Sequence, residues 1–559
     1  MKDKNKENIA ANTAVNLDTL RELIVSCKKA YGEDTAFYLE DRNVTYNMFY
    51  GDITAIGTGI YETLKLEKSN IGIIAENSYI TDVAYFSTIC GNNIATSIDI
   101  DSSVEEIVEI AKKTNMEAII FSKTYEEKIK KVKECMKRSK LKHYIITLDT
   151  SDEFVSTGEL SREGITILRS GNNEYMRVMQ TSEDIRVIIT KGVDVSYLSS
   201  KSILSSLKSI LEIVDVDCRD KYLSALEVSN SSEMIVSRFV QIARGASVTY
   251  IKGQRVVENL KKFSPSVMLI QNVQLKKIYN ALEEYIERNK KQSKVSRVIK
   301  ATDKMGSVGL KLKKKIFKDI LEQVGGNLRL LIIDAKNMDI DKVKYINDLG
   351  ISVLSGYMPR GVLPIVSLNN AIAGTGSYPI KGAEVKIEMP NLDGIGQILV
   401  KGDITYCEKD YIRTGDVGYI DGSGNIHVVG NVKNEIVLDC GEKIYPEHIE
   451  NKLVKIRNVE DALICQRVIN GKTSIFAKIK LKNKYCIENV EEKGLAIYGA
   501  KINKKLSKKQ RKLNKDKPSC IDRTIKKDNR RYIKDEIDKL NNVLSRYNKI
   551  SDFEIVENI

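Results

Sequence analysis

Tryptophan is absent from the 559 residues, histidine occurs three times and proline seven times. The scattered His143, His427 and His448 cannot build a histidine-rich metal centre, and the nine cysteines show no CxxC spacing, which disfavours a structural zinc site. No apolar run approaches the roughly 18–20 residues that a membrane-spanning helix needs. The polar first residues, MKDKNKENIAANTAVNLDTL, lack the apolar centre of a signal peptide. We therefore predict a cytoplasmic protein with reduced thiols, no resident metal and no transmembrane segment.

Positive charge is concentrated in one segment of the chain. The net charge is +14, and residues 501–531 carry 14 Lys and Arg against 3 Asp, which leaves the remainder of the chain at +3. Such a run is either a solvated surface segment or a docking element for an anionic partner, namely an acidic protein, a membrane surface or nucleic acid. It contains no aromatic residue, so base stacking within it is excluded.

The length and the periodicity predict an α/β protein with several domains. Helical and buried-strand patterns alternate through residues 1–180 and again through 181–367, as in a doubly wound sheet. Residues 368–429 are Gly-rich with short strands, and Pro446 lies where a new helix would begin. We predict a large N-terminal part, 1–429, of two doubly wound α/β subdomains plus a small β-subdomain, and a smaller α+β C-terminal domain, 430–559, that carries the basic insertion 501–531.

The segment 411–450, YIRTGDVGYIDGSGNIHVVGNVKNEIVLDCGEKIYPEHIE, contains the densest motifs. Its RTGD turn and its GNVKNEIVLDCGEKIYPEHIE run resemble the ribose-binding and hinge motifs of the adenylate-forming (AMP-binding, ANL) superfamily. Further blocks, such as GEDTAFYLEDRNVTYNMF and GAEVKIEMPNLDGIGQILVKGD, extend the resemblance over nearly the whole chain. Within that superfamily the layout is most similar to bacterial long-chain fatty acyl-CoA synthetases.

The resemblance implies ATP or AMP and CoA as ligands, together with an acyl substrate. In the family, a carboxylate attacks the α-phosphate of Mg·ATP, and CoA then displaces AMP after the C-terminal lid rotates about a hinge. Asp416 matches the carboxylate that binds the ribose hydroxyls, and Tyr357 matches the aromatic residue that stacks on adenine. Gly441 matches the lid glycine near the pantetheine tunnel, where a missing Cβ permits close approach. A turn-stabilising Asp416 and a plain core Tyr357 are the structural alternatives.

The phosphate loop of the family has only a remnant in this chain. The family pattern TSGTTGxPKG is replaced by VIITKGVDVSYLSSKSI, which is shorter and has a single glycine. A phosphate cradle needs several inward-facing backbone N–H groups and the glycines that allow them to turn inward. Thr190, Lys191 and Gly192 are what remains at this position.

Four further family positions also differ. The Glu that binds Mg²⁺ is replaced within Arg360-Gly361, so Mg²⁺ lacks its carboxylate ligand. The Gly-Gly-Ala loop is replaced by the segment 334–336, Asp-Ala-Lys, and the hinge Gly-Arg is replaced by Gly430-Asn431. The family's catalytic lysine lies beyond the last lid strand, for which no position follows before Ile559, so no catalytic residue is predicted.

Two functions follow from this pattern of matches and differences. The first is a catalytically impaired relative, a pseudoenzyme of fatty acid metabolism, that binds acyl-CoA, an adenylate or a partner. The alternative is a working ATP-dependent acyl-CoA ligase, which converts a carboxylate, ATP and CoA to acyl-CoA, AMP and pyrophosphate.

Overall fold

The structure is a computed structural model that describes most of the chain. The described residues are 17–251, 255–302, 305–334, 336, 338–359, 362–363, 365–370, 376–406, 409–469, 472–482, 520–556 and 559. They form two compact units. The large unit comprises Met1–Lys386, Ile398–Thr414 and Ile420–Val428, and the small unit comprises Ile387–Gln397, Gly415–Tyr419 and Val429–Ile559.

Helices alternate with strands through the large unit. They are Leu20–Tyr31, Tyr46–Glu62, Tyr79–Cys90, Val104–Lys113, Glu126–Cys135, Thr157–Arg169, Ser200–Ile213, Val256–Phe263, Asn272–Arg288, Gln292–Thr302, Gly306–Ile316, Lys318–Leu321 and Ile340–Asp348. One further helix begins with Ser231–Glu233, continues as a π-helix over Met234–Val240 and ends with Gln241–Arg244. Several begin at side-chain caps: Thr19, Ser103 and Ser156 each form a capping box with the Glu three residues on.

The first sheet of the large unit has seven strands. Their order is Val155–Ser156, His143–Ile146, Met116–Phe121, Asn70–Ile74, Ile94–Ser97, Ile185–Lys191 and Asp194–Ser199. All neighbours pair in parallel except the last two, which form an antiparallel hairpin. Every residue of Asn70–Ile74 is buried, which is typical of a parallel strand covered on both faces.

The second sheet of the large unit has eight strands. Their order is Ser367–Asn370, Ser352–Tyr357, Leu330–Asp334, Val267–Ile270, Lys221–Ser224, Ser247–Tyr250, Thr35–Tyr38 and Asn43–Thr45. The interior pairs are parallel and both edge pairs are antiparallel. The predicted fold class, mixed α/β with parallel sheets, is confirmed.

The two sheets exchange strands across the subdomain boundary that we predict near residue 180. The hairpin 185–199 follows that boundary, yet it joins the first sheet through the pairing of Val187 with Ala95. Conversely, the N-terminal strand Thr35–Tyr38 joins the second sheet through the pairing of Phe37 with Val248. Strand partners so distant in sequence are chosen by packing in three dimensions, which local patterns do not record.

The remaining strands form three smaller sheets. Glu384–Glu388, Gly396–Lys401, Ile412–Ile420 and Ile426–Asn431 make a four-stranded sheet in this order. The small unit contains the pair Ile436–Val437 and Lys443–Ile444, and a sheet of Val459–Ile469, Lys472–Leu481 and Ile550–Val556. Helices Pro446–Leu453 and Cys520–Val543 pack on the hydrophobic core of the small unit, which includes Ile449, Ala477 and Ile537. Pro446 is the first residue of its helix, as predicted.

Candidate functional site

A cleft of about 510 Å³ opens in the large unit at the carboxyl ends of strands from both sheets. Ligands of doubly wound proteins bind at this end of the strands. The first sheet contributes Asp99 and Asp101, which follow Ile94–Ser97, and the residues Thr190–Gly192. The second sheet contributes Ala225–Glu227 and Ser229–Ser231, and Gln271 with Gln274 at the start of the next helix. The described lining residues are Asp99, Asp101, Thr190, Lys191, Gly192, Ala225, Leu226, Glu227, Ser229, Asn230, Ser231, Gln271 and Gln274.

A tight hairpin stands where the phosphate loop is expected. Lys191 pairs with Asp194, so only Gly192 and Val193 form the loop. Gly192 has φ +56°, the left-handed conformation that two-residue hairpins require. The Lys113 ammonium donates to the Val193 carbonyl at 3.0 Å and holds the loop against the neighbouring helix. The Gly-x dipeptide between two apolar runs was the sequence signal for this turn.

Thr190 and Lys191 differ in their exposure at the end of the strand. Thr190 is buried, and its hydroxyl donates to the Ser97 carbonyl at 2.9 Å. Lys191 is exposed and lines the cleft. The structure therefore brings Thr190, Lys191 and Gly192 to one wall of the cleft, where Lys191 supplies the ammonium group.

Most of the charged side chains in the described lining of the cleft are acidic. Asp99, Asp101 and Glu227 carry three carboxylates against the single ammonium of Lys191. Nearby, burial raises the pKa of Tyr125 to about 12, and Glu76, Glu227, Asp101 and Asp99 contribute in the same direction, as negative charges do when they oppose a phenolate. Sequence reasoning missed these carboxylates, although their positions just after buried strands were the available signal.

Tyr357 is a buried residue of the strand Ser352–Tyr357. Its exposed fraction is 1%, and its backbone N–H donates to the Ser367 hydroxyl at 3.1 Å. The next residue, Met358, lines a separate cavity of only about 10 Å³ with Asp334. Lys336 is half-buried, and its N–H donates to Asp334 Oδ1 at 3.2 Å. Ala335, Arg360 and Gly361, which the sequence comparison singled out, lie outside the described residues.

In the small unit, Asp416 is tied to the predicted hinge. Its side chain is buried, and its Oδ1 accepts a hydrogen bond of 3.0 Å from Asn431 Nδ2. The Oδ1 of Asn431 in turn accepts from the Lys433 N–H at 3.0 Å and caps the short turn Val432–Asn434. Gly415 precedes the carboxylate with φ +76°. Asn431 therefore links Asp416 to the turn that follows the strand.

The two other predicted glycines have different surroundings. A Cβ at Gly430 would lie 2.5 Å from Glu447 Oε2, so a larger residue there would displace that carboxylate. Gly441 has φ +83° and closes a turn in which its N–H donates to the Leu438 carbonyl at 2.8 Å. It is exposed, and a Cβ there would meet no atom within 4 Å. Within the described residues, no group of three or more His, Cys, Asp or Glu side chains is arranged to hold a metal ion.

A family model described as AMP-binding enzyme matches residues 26–406. The chain belongs to the AMP-binding enzyme family. This match confirms the predicted membership of the adenylate-forming superfamily. The matched residues include all strands of both sheets of the large unit.

Two curated proteins that this chain resembles are CoA ligases. A 2-succinylbenzoate--CoA ligase from Oceanobacillus iheyensis is 36% identical over 104 residues, which cover 16% of this chain and 22% of the relative. The Long-chain-fatty-acid--CoA ligase heimdall from Drosophila melanogaster is 22% identical over 278 residues, which cover 42% of this chain and 40% of the relative. The chain thus spans less than half the length of these two curated relatives in the matched segments.

Among solved structures, an unliganded O-succinylbenzoate Coenzyme A Synthetase from Bacillus subtilis is similar with a TM-score of 0.64. The match covers 97% of this chain and 100% of that one at 13% identity, which shows a shared fold. Within the part of the chain that the structure describes, no helix combines the length and the apolar character needed to cross a membrane.

Proposed function

We propose that this member of the AMP-binding enzyme family acts by binding a ligand or a partner and does not adenylate a carboxylate. The observation that carries the proposal is the two-residue hairpin at Gly192-Val193. A triphosphate is held by a loop whose successive N–H groups converge on the phosphate oxygens. Here the strand pairing continues to Lys191 and Asp194, so the loop itself offers only two N–H groups.

The charge of the cleft supports the same conclusion. ATP brings several negative charges, and Mg²⁺ bound by protein carboxylates normally offsets part of them. The described lining opposes those charges with Asp99, Asp101 and Glu227, while Lys191 is its single ammonium. Like charges in a partly enclosed cleft repel one another more strongly than they do in bulk water.

The proposal keeps the family's binding positions as candidates. Asp416 and Tyr357 remain candidate nucleotide contacts, together with Thr190, Lys191 and Gly192, and Gly441 remains a candidate contact for CoA. Gly430 and Asn431 remain the candidate hinge between residues 1–429 and 430–559. The acyl class is a long-chain fatty acid by resemblance, supported by the similarity to a long-chain fatty acid ligase of D. melanogaster.

The test is carboxylate-dependent release of pyrophosphate from ATP by the full-length protein. The panel includes a long-chain fatty acid and 2-succinylbenzoate, and the O. iheyensis ligase is assayed in parallel as the positive control. We expect no release above the level without carboxylate, even at micromolar protein. Release that disappears in the Asp416→Ala variant would instead establish the alternative, a working acyl-CoA ligase.

Calorimetric titrations with AMP and with a long-chain acyl-CoA test which of these two ligands the protein binds. Heat from either ligand that Asp416→Ala or Gly441→Val reduces would support the corresponding candidate contact. Absence of heat from both ligands would leave a protein partner or another small molecule as the ligand.

A second candidate function concerns the basic run 501–531. Its net charge of +11 favours an anionic partner, either an acidic protein, a membrane surface or nucleic acid. Residues 501–519 lie outside the described residues, so the proposal rests on composition. This second function is compatible both with a protein that only binds its ligand and with a working acyl-CoA ligase.

A further inference from the structure

A second basic segment lies in the large unit. Residues 288–318 contain 12 Lys and Arg against one Asp, a net charge of +11, which equals that of 501–531. Since the whole chain carries +14, the residues outside these two segments sum to −8. Unlike residues 501–519, the segment 288–318 belongs largely to helices that the structure describes, Gln292–Thr302 and Gly306–Ile316. These helices determine where many of its cations lie.

The helix Gln292–Thr302 has one apolar face, which packs into a hydrophobic core of the large unit. Val295 is buried in that core with Phe317, and Val298 packs against it. The other face of the helix is exposed and has no acidic side chain. Its exposed charged residues are Lys294, Arg297 and Lys300, and every other exposed position of the helix is Gln, Ser or Ala. The helix therefore presents only cationic and neutral groups to the solvent.

Cations follow this exposed face at regular intervals. Lys294, Arg297 and Lys300 are three residues apart, so neighbouring members are separated by about 4.5 Å along the helix axis and lie on one side of the helix. Lys290 is exposed in the turn that precedes the helix. We call Lys290, Lys294, Arg297 and Lys300 together the basic surface.

The cations of the basic surface form no ion pair with any residue that the structure describes. Asp319 lies beside the helix, but its carboxylate already accepts a hydrogen bond from the ammonium of Lys291. Burial opposes the ionisation of Asp319, whereas Lys291 and, to a smaller extent, Lys294 lower its pKa. Arg297 Nε donates to the Ser293 carbonyl at 3.2 Å, which engages one of the five N–H groups of the guanidinium. The positive charge of the surface is therefore available to a partner.

The regular spacing of these cations favours a partner whose negative charges are also regularly spaced. Each strand of a nucleic acid duplex carries one phosphate for about 3.4 Å of its axis, so a row of phosphates can run alongside the row of side chains. Hydroxyl and amide side chains also bind phosphate oxygens, and Gln292, Ser293 and Ser296 offer such donors between the cations. A nucleic acid backbone thus matches both the charge and the hydrogen-bonding groups of this face.

A membrane surface and a single strand fit this face less well. A helix that docks on a membrane inserts its apolar face into the lipid, whereas the apolar face of Gln292–Thr302 is already packed in the core around Val295. The exposed face contains no aromatic residue, so the bases of a single strand would have no ring on which to stack.

We propose that the basic surface binds the phosphate backbone of double-stranded nucleic acid without reading its sequence. The surface is separate from the cleft of the proposed function. The helix Asn272–Arg288 contains the cleft residue Gln274 near its start and ends two residues before Lys290, so about 20 Å of helix separate the two sites. A working acyl-CoA ligase would therefore leave this inference unchanged, and failure of the inference would leave the proposed function unchanged.

The experiment is fluorescence anisotropy of labelled duplexes of about 20 base pairs, one of DNA and one of RNA, titrated with the full-length protein between about 0.05 and 0.2 M salt. We expect both duplexes to bind, because the contacts are to phosphates. Lys294→Gln/Arg297→Gln/Lys300→Gln should weaken binding by about tenfold at the lower salt concentrations. The same variant should lower the slope of log Kd against log salt concentration by about 2–3, since each lost phosphate contact removes about 0.9.

The matched control is Lys29→Gln/Lys112→Gln/Arg169→Gln. It also removes two Lys and one Arg, all exposed and each on a different helix of the large unit, and it should leave the affinity and the slope nearly unchanged. Both variants are measured again with 501–519 replaced by a neutral Gly/Ser linker. The linker should lower the affinity of every protein, and the further loss caused by the surface variant should remain. Thermal unfolding of each variant verifies that the fold is retained.

Three outcomes would overturn the inference. The first is an equal loss of affinity in the surface variant and the control, which would indicate an effect of net charge alone. The second is an unchanged salt slope in the surface variant. The third is a loss that appears with phosphatidylglycerol vesicles or with polyglutamate but with neither duplex, which would assign the surface to a membrane or to an acidic protein.

Discussion

Single residues carry large energetic weight where charge is buried, and Arg238 is the clearest case. Its guanidinium is 1% exposed and donates to Asp82 Oδ2 at 2.7 Å and to the Ser224 hydroxyl at 2.6 Å, while Glu233 lies 3.4 Å away. The Tyr250 hydroxyl also donates to Asp82 at 2.7 Å. Burial raises the pKa values of Asp82 and Glu233 even though the guanidinium favours their ionised forms. The network joins the helix Tyr79–Cys90, which connects two strands of the first sheet, to Ser224 and Arg238, which belong to a strand of the second sheet and to the helix that follows it.

We expect Arg238→Met to lower the free energy of unfolding by about 3–5 kcal/mol, because two buried carboxylates lose their counter-charge. Urea unfolding followed by circular dichroism measures the loss. Arg219→Met is the matched control, since Arg219 is 80% exposed and pairs with Asp217 at the surface. That substitution should cost a small fraction of the Arg238 effect. Equal losses in the two variants would contradict the assignment of Arg238 as a structural counter-charge.

His448 predicts a pH dependence in the small unit. Burial and the neighbouring Lys452 lower its pKa to about 4, against 6.5 in an unfolded chain, although Asp393 acts in the opposite direction. Between these two values the unfolded state binds a proton that the folded state does not. Stability contributed by neutral His448 is therefore present above pH 6.5 and lost as the pH falls towards 4, with a slope of up to about 1.4 kcal/mol per pH unit.

The measurement compares urea unfolding of the wild type and of His448→Gln at pH 7, 5.5 and 4.5. The wild type should lose more stability than the variant on acidification, and the other titrating groups cancel in the difference. Parallel pH profiles for the two proteins would show that His448 does not titrate differently on folding.

At the scale of elements, two helices of the large unit meet through glycines. A Cβ at Gly164, in Thr157–Arg169, would lie 1.9 Å from the Ala55 carbonyl oxygen, and one at Gly59 would lie 2.3 Å from that of Leu160. Tyr46–Glu62 and Thr157–Arg169 can approach so closely because neither backbone carries a side chain at the crossing. Gly51, in the first of these helices, has open space around it.

We expect opposite effects of the same substitution at these positions. Gly164→Ala should lower the free energy of unfolding by about 1–3 kcal/mol or more, since the contact is with backbone that cannot move aside. Gly51→Ala should raise it by about 0.5–1 kcal/mol through its better helix propensity. Thermal and urea unfolding of both variants provide the comparison. If both substitutions lower the free energy of unfolding, helix propensity does not determine the effect of Gly51→Ala.

The elements also show how far sequence patterns reach. Apolar residues recur at helical spacing through LDTLRELIVSCKKAY, residues 17–31, and the structure has the helix Leu20–Tyr31 there. The apolar run NIGIIA, residues 70–75, predicts a buried strand, and the structure has the strand Asn70–Ile74. The apolar pattern of KYLSALEV, residues 221–228, predicts a strand over the whole run, but the strand ends at Ser224 and residues that follow it line the cleft. Periodicity reports burial along one element, and it does not report where an element ends to make room for a site.

On the scale of the whole molecule, charge is distributed very unevenly. Because residues 501–531 hold +11 of the net +14, their interactions with polyanions should dominate those of the full chain. We expect the full-length protein to be retained on heparin and to elute at markedly lower salt after deletion of 501–519, which stops before the helix that begins at Cys520.

A substitution control distinguishes charge from length in this experiment. Replacing residues 501–519 by a neutral Gly/Ser linker of the same length should reproduce the early elution. Retention that survives both changes would assign the polyanion affinity to another surface.

The sequence alone determined the family of this protein. The RTGD turn, the hinge run and the register of the surrounding blocks are local patterns, and the match over residues 26–406 confirms the family to which they point. The shortened phosphate loop was also readable, because the number of residues between two strands is a property of the sequence.

Only the tertiary structure decided which groups share a site. Asp99 and Glu227 are 128 positions apart in the chain, and they line one cleft because their strands belong to two sheets whose carboxyl ends face it. The side-chain partner of Asp416, Asn431, likewise became known only through the geometry of the strand and the turn. Local patterns describe how each segment buries its own apolar face, whereas the meeting of distant side chains depends on how the segments pack together.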